Sequence, residues 1–78
     1  MQEFNPLFSV GETVMYTPIG KQAIQSTVAA VIEGYNKTPL YIVEDESGWE
    51  ATEDKARLYS IEVTKKYSFI GEDGLAKI

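Results

Sequence analysis

Turn-forming residues interrupt this chain at short intervals: Pro6, Gly11, Pro18, Gly20, Gly34, Pro39, Gly48, Gly71 and Gly74. The runs between them hold about five to eight residues, the length of a strand rather than a helix. They are rich in Val, Ile, Thr and Tyr, which suit a pleated, half-buried surface. "ETVMYT" alternates, with Val14 and Tyr16 on one face and Thr13 and Met15 on the other. "STVAAVIEGY" has no clean alternation at its centre, which predicts a bulge or burial on both faces. "LYIVED" sets Tyr41 and Val43 against Leu40 and Ile42. "ESG" then reads as a hairpin turn, with Gly48 at positive φ, joining strands over about 40–45 and 49–52. "RLYSIEV" resumes an extended pattern, and "KYSFIGEDGLAKI" reads as a C-terminal hairpin about residues 71–74.

The strongest helix candidate is "ATEDKARLY", residues 51–59. Nine residues without tertiary support make a marginal helix, so the expectation is one helical turn near 53–56, starting at Thr52 or Glu53. The class predicted is all-β, with about five strands in a single domain over residues 1–78. The pattern "FSVGETVMYT…STVAAVIEGY…PLYIVEDESGWEATEDKARLY" resembles small SH3-like barrels of the Tudor, KOW and phage-encoded type. In those, a "vGe.V" entry precedes the first strand and a "YxVxxxxG" hairpin joins the third and fourth. The resemblance covers about residues 8–61, leaving 62–78 as an extension or hairpin. It implies a small SH3-like barrel and a non-enzymatic interaction module, a small accessory protein of a bacterium or phage.

Composition narrows the chemistry. No cysteine is present, so disulfides and thiolate nucleophiles are excluded, as fits a reducing, cytoplasmic setting. Histidine is also absent, removing the usual neutral-pH base and nitrogen metal ligand. The expectation is no enzyme, no cofactor and no transition-metal site. "MQEFNPLFSV" lacks the basic start and apolar core of a secretory signal. The longest apolar run, "VAAVI", is far below the ~18 residues that span a bilayer, so no membrane partner is expected.

Net charge is −5, and it is concentrated: residues 44–54 carry six acids and no other ionisable group of opposite sign. A nucleic-acid binder shows the reverse bias, so direct nucleic-acid binding is not expected. An EF-hand register that puts Gly48 sixth puts Val43 first, where a carboxylate is required, so that reading fails. A looser magnesium or calcium site would use Glu44, Asp45 and Glu46. Adjacent acids on a strand point to opposite faces, so Glu44 and Asp45 make a poor acid–base pair. Two readings of the acids stand. In one, they keep a hairpin tip soluble and blunt a sheet edge. In the other, Glu44, Asp45, Glu46 and Glu50 form a surface for a basic partner protein, imitating the phosphates of nucleic acid. The aromatics Tyr16, Tyr35, Tyr41, Trp49 and Tyr59 also have two readings: core packing, or a cation-binding cage of the kind the Tudor resemblance implies. Candidate contact residues are therefore Glu44, Asp45, Glu46, Trp49, Glu50, Tyr35 and Tyr41. A third possibility for function is an oligomer-forming barrel whose exposed edge pairs with a copy of itself.

Overall fold

A computed structural model describes residues 3–78; Met1 and Gln2, part of the stretch read for a signal, lie outside the described residues. The chain is mostly β. Five strands, β1 (Thr13–Tyr16), β2 (Ile24–Glu33), β3 (Pro39–Glu50), β4 (Lys66–Gly71) and β5 (Leu75–Lys77), are joined by one helix, α1 (Glu53–Tyr59), and two 3-10 turns. All strand pairs are antiparallel, in the order β4-β3-β2-β1-β5.

β2 divides its length between two neighbours. Residues from Ile24 to Thr27 pair with β1, and those from Val28 onward pair with β3. The register shifts between Val28 and Ala30, so the uneven "VAAVI" run makes both a bulge and a two-faced strand. Val28 and Val31 face one core with Phe8, Val14, Tyr16, Tyr41, Val43 and Leu75. Ala29, Ala30 and Ile32 face a second core with Ile42, Ala51 and Tyr67. Each fully buried Val or Ile in these cores contributes about 1.5–3 kcal/mol. The entry turn before β1 is fixed by Gly11, whose φ of 89° suits glycine. Its N–H donates to the Val28 carbonyl, and the Val28 N–H donates to the Glu12 carbonyl.

Three expectations need correction. The hairpin at "ESG" does not form: β3 runs from Pro39 through Gly48 to Glu50 as one strand. Both Glu44 and Trp49 register against Tyr67 on β4, so residues 45–48 form a wide bulge. Gly48 is not among the positive-φ residues. Its glycine is required because a Cβ there would collide with the Tyr67 carbonyl, a close backbone approach rather than a turn conformation.

The helical turn expected near 53–56 is a seven-residue helix that also takes in Arg57, Leu58 and Tyr59. Thr52 caps it by accepting the Lys55 N–H, and Ser60, at φ 58°, ends it. What a short isolated helix lacks, α1 gains by packing Tyr59 against the second core.

Finally, β4 and β5 do not form a C-terminal hairpin. β4 pairs with β3 and β5 with β1, so the 3-10 turn Glu72–Gly74 links the two ends of the strand order.

Candidate interaction surface

The bulge decides the fate of each acid. Where the register breaks after Glu44, the chain swings out and Asp45 turns inward. One Asp45 carboxylate oxygen accepts hydrogen bonds from the Tyr16 hydroxyl at 3.0 Å and the Ser68 hydroxyl at 2.8 Å. The other accepts from the Ser47 N–H at 2.9 Å. Burial pushes the Asp45 pKa up, but these three donors together with the field of Lys21 outweigh it, and the group is held below the ordinary carboxylate range. The same contact, with burial as the main cause, pushes the Tyr16 hydroxyl up. Asp45 thus ties the bulge to β1 and β4. Ser26 adds a second tie, donating from its hydroxyl to the Glu44 carbonyl where β2 leaves β3.

The other acids point to solvent. Glu44 lies 3.8 Å from Lys65, which itself sits 3.2 Å from Glu62. Hydrogen bonding to Glu62, then the field of Glu44, raises the Lys65 pKa. Glu50 stands opposite Lys66 in the β3–β4 register, a favourable cross-strand pair. Glu46 is exposed at the bulge tip. Between residues 24–27, the bulge and residues 64–66 lies an open groove of about 890 Å³. Its walls set Glu44, Asp45 and Glu46 against Lys65 and Lys66, so it presents both signs of charge. Among the described residues, no group of three or more carboxylates gathers as a metal site. Glu44, Asp45 and Glu46 are not brought together around a common point.

The aromatics separate as well. Tyr41 is fully buried, and its hydroxyl donates to Glu72 at 2.6 Å while accepting the Leu7 N–H at 3.0 Å. Burial, reinforced by the Glu72 carboxylate, pushes its pKa up to about 12. Tyr16 is core too. Tyr35 is 88% exposed in the turn between β2 and β3 and joins no ring pair among the described residues. Tyr41 and Tyr35 therefore do not form a cage with Trp49.

A different cluster forms around Trp49. Its ring centroid lies 5.2 Å from Phe69, 5.6 Å from Tyr67 and 6.5 Å from Tyr59. Tyr59 meets Phe69 edge-on at 5.8 Å. The Lys55 ammonium sits 4.8 Å above the Trp49 ring, within cation–π range. The indole Nε1 is buried without a hydrogen-bond partner, so the side chain is held by its ring contacts while the backbone is held in the β3–β4 ladder. Phe69, at the outer rim of this stack, remains 39% exposed.

Sequence reasoning singled out Trp49 and Tyr59 but missed Tyr67 and Phe69. The available signal was their two-residue spacing in "KYSFI", which puts both rings on one face of β4. No family model, curated protein or solved structure matches the chain.

Proposed function

We propose that this chain is a small, partly open SH3-like barrel that acts as a non-enzymatic protein-binding module through the aromatic face of β3, β4 and α1. The observation that carries the reading is Phe69, an exposed ring backed by Trp49 and Tyr59. Clustered, pre-ordered aromatics of this kind dominate protein contacts, because large rings bury much area with few rotors to freeze. The barrel reading is supported by β2 sharing its length between two partners and by the 3-10 turn between the outer strands. It is also supported by one core drawing on β1, β2, β3 and β5.

Binding rather than catalysis is favoured by the inward carboxylate. Asp45 is fully engaged by three donors, which leaves it a poor proton acceptor. Imitation of nucleic acid depends on carboxylates spaced regularly along two strands; here they lie on one bulged strand and a helix start. In NMR spectra of the labelled chain in extract of its native host, the Trp49, Tyr59 and Phe69 ring signals should broaden together. Changes confined to the Glu44, Glu46 and Glu50 signals would overturn the aromatic reading.

A further inference from the structure

β4 is an outer strand of the sheet, and among the described residues its far edge bonds to no other strand. The Tyr67 carbonyl faces Gly48 on β3. Because main-chain groups alternate in direction along an antiparallel strand, those of Ser68 and Ile70 point to the open side. Such an edge is a template for another strand, and natural edges are blunted by proline, bulges or charge. β4 is regular over "KYSFIG", without proline, and its single charge lies at its first residue, Lys66.

The charge pattern selects the occupant. Lys65 and Lys66 lie at the start of β4, and Glu72 and Asp73 follow its end. A strand laid antiparallel against an identical one brings the basic start of each beside the acidic end of the other. The geometry points to a second copy of this chain, pairing β4 antiparallel with β4 about a two-fold axis at Phe69. In that register Ser68 opposes Ile70 of the second copy, so the outward groups meet as hydrogen-bonded pairs. Lys66 opposes Glu72, and Phe69 opposes Phe69, covering the exposed rings. A two-fold contact of this kind is self-complementary and closes at two chains. Lys66 makes no salt bridge among the described residues and faces Glu50 on β3 only in register. Glu72 accepts the Tyr41 hydroxyl and the Leu7 N–H on Oε2 alone, which leaves Oε1 for the opposing Lys66.

The inference rests on the reading of the β3–β4 face as protein-binding and names the partner. Sedimentation of the full chain should show the mass rising from 8.7 kDa to twice that between about 1 µM and about 1 mM. Lys65→Glu with Lys66→Glu should weaken the pairing at least about tenfold, with the thermal transition retained. The chain has no cysteine, so Phe69→Cys gives a single reporter. Opposed non-hydrogen-bonded residues approach within disulfide range, and oxidation should link this variant far faster than Leu58→Cys, an exposed control. A constant single-chain mass at the highest concentration, or equal cross-linking of the two variants, would overturn the pairing. If the mass stays single while the ring signals still broaden in host extract, only the identity of the partner fails.

Discussion

At the scale of single residues, two part-buried hydroxyl–carboxylate contacts contribute to the response to pH, one at each end of the range. Asp45 has its folded pKa lowered from 3.8. Its stabilisation is therefore present above that value and lost as pH falls through the folded pKa. Asp45→Asn should remove this part of the acid limb in pH-dependent thermal unfolding and cost about 1–3 kcal/mol near neutrality. Tyr41 has the opposite sign of effect. Its folded pKa is raised from 10.0 to about 12, so its contribution is intact below the lower value and lost as pH rises towards the upper one. Tyr41→Phe should flatten the alkaline limb between those values. It should also destabilise at neutral pH, because the Leu7 N–H and Glu72 lose their shared partner. Trp49 offers a sharper contrast. Trp49→Phe keeps a ring and removes a buried donor without a partner, so unfolding should show little or no loss. Trp49→Ala removes the centre of four rings and should approach the lower end of the ~3–5 kcal/mol typical of such truncations.

At the scale of elements, the bulge in β3 is the feature on which the acidic stretch turns. Gly48→Ala would force a methyl against the Tyr67 carbonyl, and overpacking of that kind costs about 1–3 kcal/mol. Chemical denaturation should show it. Gly11 is not a parallel case, since it needs its positive φ but has open space around it. The contrast explains where sequence reasoning stopped. An acid–Ser–Gly run between apolar stretches has the same local signature as a tight turn or a strand bulge, because glycine serves both. What decides between them is β4, whose Tyr67 receives two β3 residues in register. That pairing is invisible until the strands are placed. The β2 bulge, by contrast, was legible in "VAAVI", because five apolar residues in a row cannot alternate. Helix α1 was read one turn short, since its length depends on rings from β3 and β4 that Tyr59 meets. Phe69 escaped notice for a related reason. "KYSFI" is an ordinary alternating strand, and its exposed ring becomes notable only because β4 is an outer strand.

At the scale of the molecule, most of the acids in residues 44–54 have partners or positions within the fold, and the contact surface proposed above lies beside them. Asp45 braces the bulge, Glu50 faces Lys66 across the strands, and Glu53 and Asp54 sit in the first turn of α1. Acids there favour the helix through its dipole. No helix among the described residues is long and apolar enough to cross a membrane. Contact through the aromatic face and contact through the acids differ in their response to salt, since apolar contacts survive screening that weakens exposed charge pairs. The most direct measurement is capture from host extract at about 0.05 M and about 1 M salt, where the Debye length falls to about 3 Å at the upper end. The wild type, Phe69→Ser and the double reversal Glu46→Lys with Glu50→Lys should be compared, each confirmed folded by circular dichroism. The account predicts that Phe69→Ser loses the bound proteins, while the double reversal retains them at both salt concentrations. Loss with the double reversal, retention with Phe69→Ser and release at high salt would contradict it.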